Sequence, residues 1–548
     1  MECRQIPLPP HLRQWLDTWG PQLSTKLNKN IQLAHNELVP SSGPVPHIPC
    51  LDVGTDCSGG EAPVWAMRLM NIQHRHMFSS DCASAPKALI MANTPPKQAF
   101  YDDMLSRDLS KLPWVHIYIA GFPCKPYSML HHKTKLMKEK TAKPLFAILK
   151  LLRTSGPAVA VLENVKGISR VMDKVLGMIR RQGYHVMHIE MNPPHLGEPV
   201  QRPRYYILVV RKDLAIASEA VMQDITDLTW KHVEVSKQHV DIQSRCLPPA
   251  HPEVVRALKA RRANCEVAAS KAFPRKKQNP RWIIRHRAFA KKTRVSKSGS
   301  TKASAASSGP RLLGSTACRP SSSAGKVSAD TLLLHGPRER DMWRILSEKM
   351  PDLSAADVSQ SIYRCGARND GRLPTVTPSG QIAVTSLGRM LVPMDKLLVH
   401  GFPVHRMSFP ASISDSELGM IGGNTMHLMC VGCAVRIALS LVDWNLPASR
   451  GPPPKKQLSA KRRPAVKRGQ APRLLGSSAP RKNQRSQSQS DHPRNIRAQP
   501  LNISRAQPRM SNQLSTAPFV WPLASPDKRK AAQNIASVHA KQTRWSTK

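Results

Sequence analysis

The sequence predicts an α/β protein with a mostly parallel sheet that is covered by helices on both faces. Short apolar runs typical of buried strands recur between residues 77 and 210, and helical patterns separate them. This alternation favours parallel strands, because a crossover helix must return the chain to the same edge of the sheet.

The individual elements follow in order along the chain. A proline in the first turn and Gly156 just beyond the end bound one helical pattern, and Gly183 ends another. The predicted helices are Ala62–Met70, Pro144–Leu152 and Ile168–Arg181. The predicted strands are Met77–Ser80, Val115–Ala120, Ala158–Leu162, His185–Ile189 and Tyr205–Val210.

The positive charge of the chain is concentrated in two tracts. The 548 residues include 82 Lys and Arg against 36 Asp and Glu, a formal net charge of +46. Residues 451–548 carry a net charge of +19, and residues 251–330 carry +16. This excess favours a polyanionic partner, of which nucleic acid is the commonest. The alternative is a basic tail that binds anions without specificity.

Composition also predicts the domain organisation. The last hundred residues are rich in Pro, Ser, Gln and Arg and poor in aromatic residues, which predicts disorder. The predicted segments are an N-terminal extension (1–45), a core (46–215), a small basic insert that is partly disordered (216–345), a returning part of the core (346–445) and a disordered basic tail (446–548).

Cysteine usage and hydropathy predict a soluble intracellular protein without a membrane span. The eleven cysteines are an odd number, and no charged-then-apolar leader begins the chain. The most apolar stretch, residues 425–444, contains His427, Arg436 and Asp443. Cys430 and Cys433 have zinc-like spacing but no second pair nearby, so core packing is expected and no metal site is predicted.

The segment Gly121-Phe-Pro-Cys-Lys-Pro-Tyr-Ser128 carries the most information about chemistry. It follows the strand that ends at Ala120, so Cys124 lies just past the carboxyl end of a strand. Prolines on both sides of Cys124 restrict the backbone there. A thiol displayed in this way is a candidate nucleophile.

Three further segments place polar groups at neighbouring strand ends. The glycine turn in Leu51-Asp-Val-Gly-Thr-Asp-Cys-Ser-Gly-Gly-Glu-Ala-Pro63 lets a ligand approach the backbone. Asp81 ends the next strand, where a carboxylate commonly binds ribose hydroxyls, and the pair Asp102-Asp103 comes later. This order suits an adenosyl cofactor.

Two more segments follow the nucleophile candidate. Glu163 ends the next strand, where a carboxyl group could protonate or hydrogen-bond a heterocycle nitrogen, and Asn164 comes directly after it. Arg202 and Arg204 point to the same face of an extended segment, so they could hold a carbonyl oxygen and a phosphate.

Taken in order, these segments resemble the motif series of the cytosine-5 methyltransferases, across about residues 46–215 and 360–444. The resemblance implies a Rossmann-like sheet and S-adenosylmethionine as the cofactor. Arg372-Leu-Pro-Thr-Val376 and Gly423-Asn424-Thr425 look like the last two motifs, and the final one is expected to fold back beside the first. The implied cofactor-binding residues are Ser58, Gly59, Gly60, Asp81, Asp103, Asn424 and Thr425.

The resemblance also implies a catalytic set and a reaction. The Cys124 thiolate adds to C6 of a flipped cytosine, and a methyl group is then transferred to C5. Glu163 holds N3 and the exocyclic amine, while Arg204 binds O2. Arg202 is expected nearer the phosphates, and Asn164 belongs to the same set. A lowered thiol pKa is expected, caused by positive charge such as Lys125.

The sequence departs from the family pattern at four positions. Glu61 stands where another glycine is usual, and Cys57 replaces an aromatic residue before the cofactor loop. Lys125 replaces a glutamine after the nucleophile, and Val200 replaces a glutamine before the paired arginines. None of these changes removes a group that makes or breaks a bond.

The expected partner is DNA, with RNA as a possible alternative. Lys125, Ser128, Trp282 and Arg285 are the predicted nucleic-acid contacts, and the basic stretch 131–143 could close over the nucleic acid. Basic clusters between Lys455 and Arg468 predict a nuclear location. A tRNA cytosine-5 methyltransferase and a nucleic-acid-binding protein with a decayed catalytic core remain alternatives.

Overall fold

A computed structural model describes residues 3–39, 47–128, 136–233, 240–270, 281–292, 327–334 and 336–446. These residues all belong to one compact unit, Met1–Ala460. The segments outside the described residues include residues 447–548 of the predicted tail, residues 293–326 of the basic tract 251–330, and the loop at 129–135.

The core of the fold is a seven-stranded sheet with the strand order β4-β3-β2-β5-β6-β8-β7. Its neighbouring strands pair in parallel except around β8, which is antiparallel to both β6 and β7. A mostly parallel sheet is therefore confirmed. The two-residue strands β1 (Cys3–Arg4) and β12 (Phe409–Pro410) pair separately. The strands of the large sheet are β2 (Leu51–Asp56), β3 (His74–Ser80), β4 (Ala99–Tyr101), β5 (Ile117–Ala120), β6 (Val159–Val165), β7 (Tyr184–Met191) and β8 (Arg204–Arg211).

The helices flank this sheet and the segments that follow it. Gly156, which the sequence predicts just beyond the end of a helix, follows α4 and has φ 61°, in the left-handed region. The helices are α1 (Pro10–Leu38), α2 (Ala62–Leu69), α3 (Ser84–Asn93), α4 (Lys143–Ser155), α5 (Met172–Arg180), α6 (Glu219–Val233), α7 (Pro252–Ser270), α8 (Arg281–Lys292), α9 (Pro337–Lys349), α10 (Pro393–Leu398), α11 (Asp415–Asn424) and α12 (Leu428–Ser440).

Each face of the sheet buries its own apolar cluster. One cluster contains side chains of α1, α2, α6 and α12, and the other contains side chains of α4 and α5. Helices thus cover both faces, as the alternation of strands and helices predicts.

Two predicted segment boundaries differ from the packing that the structure shows. The extension 1–45 consists mostly of α1, which buries Leu12, Leu16 and Leu27 completely. The insert predicted from residue 216 begins with α6, which packs on α1 and buries Met222 and Ile225. Both helices have apolar stripes that cover the sheet, so they are parts of the core.

A smaller core lies farther along the chain. The strands β9 (Ala355–Asp357), β10 (Ile382–Val384) and β11 (Arg389–Met390) form an antiparallel sheet. Residues of α9 pack on this sheet, and α8 packs on α9.

The stretch Asp415–Ser440, formed by α11 and α12, is long and apolar enough to cross a membrane. In the protein, 89% of its most apolar window is buried, because α12 fills the cluster beside α2. Cys430 and Cys433 are both buried there, so the predicted core packing of this pair is confirmed.

Candidate active site

The loop that carries Cys124 begins where β5 ends. Amide groups of Tyr127 and Ser128 donate to the Cys124 carbonyl at 2.9 and 2.8 Å, so the chain turns sharply after the thiol. Asn164 is buried at the end of β6, and its side-chain amide donates to the Phe122 carbonyl at 3.0 Å. Asn164 therefore positions the nucleophile loop.

Glu163 and Arg204 form an ion pair beside this loop, with 2.9 Å between Glu163 Oε1 and Arg204 Nε. The direction of β8 brings the two residues together. Because β8 runs antiparallel to β6, its first residue, Arg204, lies opposite Val165 at the carboxyl end of β6. Only 11% of the Glu163 side chain and 13% of the Arg204 side chain are exposed, so water screens the pair weakly.

Gly121 lets this pair approach the loop. A Cβ atom at this position would lie 3.4 Å from Glu163 Oε2 and 2.7 Å from the Met426 side chain. A larger residue would therefore first displace the terminal methyl group of Met426, while its distance from the carboxylate would be that of an ordinary contact. Met426, which follows the last predicted motif, is a contact that the sequence pattern does not reveal.

The electrostatics of Cys124 differ from the expectation. Its side chain is accessible to solvent. Partial burial nevertheless raises the pKa of the thiol, Arg204 and Arg202 lower this pKa, and Glu163 raises it. The net shift is upward, so the predicted lowering of the thiol pKa by Lys125 is wrong for the unliganded protein. The Lys125 side chain is exposed, and the cations that act on the thiol are the paired arginines.

Arg202 has a different place from the one predicted. Its guanidinium is buried and donates to the carbonyls of Val376, Gly423 and Asn424 at 3.2 to 3.3 Å. Burial lowers the pKa of Arg202 to about 10. These bonds join the start of β8 to the segments that resemble the last two motifs. A guanidinium engaged in this way cannot face a phosphate, so the predicted phosphate contact is wrong.

The glycine turn follows β2 as expected. Gly59 has φ 55°, and a Cβ atom there would meet no protein atom within 4 Å, so this side of the turn is open to a ligand. Its amide donates to Asp81 Oδ2 at 2.9 Å. A Cβ atom at Gly60 would lie 3.1 Å from Phe402 and 3.3 Å from Ile421. The fold-back of the last motif beside the first is therefore observed.

The other predicted cofactor residues lie in the turn itself, in the segments that follow β3 and β4, and at the end of α11. Ser58 is buried, and Asp81 is partly buried with its second carboxylate oxygen accepting the Ala83 amide at 3.0 Å. Asp103 is exposed and accepts the Leu105 amide at 2.8 Å. Asn424 is the exposed last residue of α11. The buried Thr425 hydroxyl has no hydrogen-bond partner within the described part of the chain.

A buried ion pair below the turn was not predicted. Arg107 donates to both oxygens of Asp56 at 2.5 and 2.6 Å, and the Tyr118 hydroxyl donates to the same carboxylate at 2.6 Å. The pair anchors the loop that carries Asp103 to the end of β2. The sequence signal for this pair is limited to an aspartate, Asp56, at the end of β2.

Three of the departures from the family pattern have structural counterparts. Val200 is fully buried in an apolar cluster with Leu373 and Ile242, where a glutamine amide would lack water. Cys57 adopts φ 53°, and its thiol contacts the Met104 sulfur at 3.8 Å. Glu61 is completely buried, and burial raises the pKa of its carboxyl group to about 7.

The predicted nucleic-acid contacts fall in two places. Lys125 and Ser128 lie on the nucleophile loop, whereas Trp282 and Arg285 lie on α8. The Trp282 ring packs against His286 with 5.1 Å between ring centroids, and Arg285 is exposed. Of the basic stretch 131–143, residues 131–135 lie outside the described residues.

Sequence comparison identifies related proteins. A family model described as C-5 cytosine-specific DNA methylase matches residues 65–412. Type II methyltransferase M.BsuFI of Bacillus subtilis is 28% identical over 145 residues, which are 26% of this chain and 35% of that protein. Type II methyltransferase M.NgoBI of Neisseria gonorrhoeae is 30% identical over 138 residues, 24% of this chain and 43% of that protein. The matches thus span less than half the length of these relatives.

Solved structures also align with the chain. A methyltransferase of Entamoeba histolytica, EhMeth, aligns with a TM-score of 0.40 and 11% identity, over 71% of this chain and 98% of that one. The Dnmt2 methyltransferase of S. pombe aligns with the same values.

Proposed function

Because this chain belongs to the C-5 cytosine-specific DNA methylase family, we propose that it transfers a methyl group from S-adenosylmethionine to C5 of cytosine in DNA. The observation that carries the proposal is the grouping at one sheet edge of an accessible thiol, a carboxylate and a guanidinium. Cys124 follows β5, Glu163 lies near the carboxyl end of β6, and Arg204 begins β8. A cytosine ring needs a nucleophile at C6 and charged partners at its other edge, and these three groups supply both.

The charges around the thiol suit activation by the substrate. In the free protein burial raises the pKa of Cys124, Arg204 and Arg202 lower it, and Glu163 raises it. When Glu163 engages a protonated cytosine N3, the charge of the base offsets that of the carboxylate. The two arginines then act on the sulfur without that opposing charge and favour the thiolate. Binding of the target base is therefore proposed to lower the pKa of the thiol.

The residues around the glycine turn fit an adenosyl ligand. The groups proposed to face such a ligand are the open side of Gly59, the exposed carboxylate of Asp103 and the Thr425 hydroxyl, which has no hydrogen-bond partner among the described residues. The ligand supplies an electrophilic methyl group. The protein supplies backbone amides, hydroxyl groups and carboxylates that fix the position of the nucleoside.

The target base must leave the helix stack to reach Cys124, because the thiol cannot contact C6 of a stacked base. Lys125 and Ser128, on the same loop, are proposed to contact the nucleic acid beside the extruded base. Trp282 and the exposed Arg285 are proposed to contact the nucleic acid from α8, where Arg can bind phosphate and an aromatic ring can stack.

The direct test uses the purified chain, methyl-labelled S-adenosylmethionine, and matched DNA and tRNA substrates. We expect label at C5 of cytosine in DNA and none after Cys124→Ala. Label found only in tRNA would reject DNA as the substrate. Binding of the cofactor without transfer to either substrate would indicate a decayed catalytic core.

A nuclear location is proposed from the basic clusters between Lys455 and Arg468, which lie outside the described residues. The test is a fusion of residues 446–548 to a fluorescent protein in eukaryotic cells. Nuclear accumulation that is lost when these clusters are changed to glutamine supports the proposal. A fusion distributed evenly through the cell contradicts it.

A further inference from the structure

Glu61 occupies a backbone conformation that would suit a glycine. Its φ is 59°, in the left-handed region, and its amide donates to the Ser58 carbonyl at 2.7 Å to close the turn. A side chain with a Cβ atom costs about 1 kcal/mol in this region. The Glu61 side chain is also completely buried. The structure therefore holds this carboxyl group in the interior although its backbone is strained and the group loses its hydration.

A chain of hydroxyl groups connects this carboxyl group to the turn. The Ser79 hydroxyl donates to Glu61 Oε2 at 2.6 Å and lies 3.2 Å from the Thr55 hydroxyl. The Thr55 hydroxyl lies 2.7 Å from the Ser58 hydroxyl, which in turn donates to the Ser80 carbonyl. All of these groups are buried, so the bonds are not exposed to competition from bulk water.

The opposite side of the turn is held by a second set of bonds. The Gly59 amide donates to Asp81, and the Ser58 amide donates to the Ser80 carbonyl at 3.1 Å. Both sets attach the turn to the end of β3. The Asp81 bond lies on the side proposed for the cofactor, whereas the Glu61 bond lies in the interior.

We propose that Glu61 is a positioning residue that holds the Ser58–Glu61 turn in its ligand-ready shape through Ser79. This role rests on the proposed function, because the ligand concerned is the adenosyl cofactor. A turn that is already ordered loses less conformational entropy when the ligand binds, so affinity increases without a direct contact. Glycine at this position would adopt the same φ without strain but would leave the Ser79 hydroxyl without its carboxylate partner.

The test compares Glu61→Gly with Asn71→Gly in the full chain. Asn71 also has a positive φ, 55°, and lies just beyond the other end of α2, so its substitution relieves similar strain without touching the hydroxyl chain. Two quantities are measured: hydrogen exchange of the amides at residues 58–62 in the unliganded protein, and the Kd for S-adenosylhomocysteine.

Glu61→Gly is expected to speed exchange in the turn about tenfold and to weaken ligand binding about tenfold. Asn71→Gly should change neither quantity. Ser79→Ala should reproduce both effects, and its combination with Glu61→Gly should add little, since both changes break the same bond.

The possible failures are distinguishable. Unchanged exchange and unchanged Kd in both Glu61→Gly and Ser79→Ala would overturn the role of Glu61 while leaving the proposed function intact. If the wild-type chain binds neither S-adenosylhomocysteine nor S-adenosylmethionine, the proposed function fails, and the role of Glu61 fails with it. Should Glu61→Gly not fold, Ser79→Ala still decides the question, because it removes the donor to Glu61 and leaves the residues of the turn unchanged.

Discussion

At the scale of single residues, the Cys124 thiol lies among charges of opposite sign. Burial raises its pKa, Arg204 and Arg202 lower it, and Glu163 raises it. The carboxylate that the proposed reaction needs at the base therefore opposes the two arginines while the site is empty. A thiol with a raised pKa holds less thiolate, so we expect slower oxidation and alkylation of Cys124 in the absence of DNA.

Glu163→Gln should separate these two roles. Removing the negative charge lowers the pKa of Cys124, and a drop of about one unit gives up to tenfold more thiolate near pH 8. We expect faster alkylation of Cys124 by iodoacetamide together with a large loss of methyl transfer. Arg204→Gln should slow alkylation. Equal alkylation rates in the wild type and both variants would contradict this view of the thiol.

Glu61 and His76 form a buried pair with opposing pH effects, and 3.8 Å separates His76 Nε2 from Glu61 Oε2. Burial raises the pKa of Glu61 to about 7 and lowers that of His76 to about 4. The folded protein therefore keeps a proton on Glu61 between pH 4.5 and 7, which the unfolded chain releases. It also leaves His76 neutral between pH 4 and 6.5, where the unfolded chain binds a proton.

The two effects can be measured by substituting one partner at a time. The free energy of unfolding of the wild type minus that of Glu61→Gln should fall as the pH rises from 4.5 to 7, by up to about 3 kcal/mol. The wild type minus His76→Gln should rise by a similar amount between pH 4 and 6.5. Urea unfolding across this range checks both slopes, and a flat difference for either variant would show that the pKa of the group it replaces is not shifted in the folded protein.

At the scale of elements, Arg202 joins segments that are far apart in sequence. It precedes β8 and donates to carbonyls near residue 376 and at the end of α11. The prediction that Arg202 contacts a phosphate is wrong for a physical reason. Alternation along an extended segment indicates to which side a side chain points, but not which other segment packs over that side. Here the returning C-terminal segment covers it.

Arg202→Met should therefore destabilise the fold. Three buried carbonyls would lose their donor, and we expect the free energy of unfolding to fall by about 3 kcal/mol. Arg180→Met is a suitable control, because Arg180 is largely exposed and pairs with Glu219 at the surface, where a loss of less than about 1 kcal/mol is expected. Urea unfolding measures both. Equal losses would show that the buried bonds add little.

The positions of most strands and helices were predictable from sequence because the signals are local. Apolar runs identify β5, β6 and β8, and Gly156 identifies the end of α4. The antiparallel direction of β8 was not predicted, since pairing direction depends on the connection and on the neighbouring strands. That direction is what places Arg204 opposite Val165 and beside Glu163.

At the scale of the whole molecule, the sequence predicts which residues form the candidate site but not what each of them contacts. The motif order brings Cys124, Glu163 and Arg204 together, and the structure does so too. Contacts between distant segments determine the remaining features. These are the identity of the cations near the thiol, the burial of Arg202, and the hydrogen bond from Ser79 to Glu61. Sequence spacing alone carries no information on these contacts.

The charge distribution predicts a role for the basic tail in DNA affinity. Residues 451–548 hold 21 Lys and Arg against two acidic residues. Deleting residues 447–548 should weaken binding to duplex DNA and flatten the dependence of log Kd on log salt, because fewer counterions are released. A filter-binding titration between 50 and 200 mM salt measures this slope. An unchanged slope would show that the tail does not contact the phosphates.

The most direct test of the central claim is covalent capture of Cys124 on duplex DNA that contains 5-fluorocytosine, in the presence of S-adenosylmethionine. After the thiol adds to C6 and the methyl group reaches C5, fluorine replaces the proton whose loss would expel the sulfur, so the adduct persists. Peptide mass spectrometry should find DNA attached to Cys124 in the wild type and none in Cys124→Ala. An adduct at another cysteine, or methylated DNA without any adduct, would contradict the account.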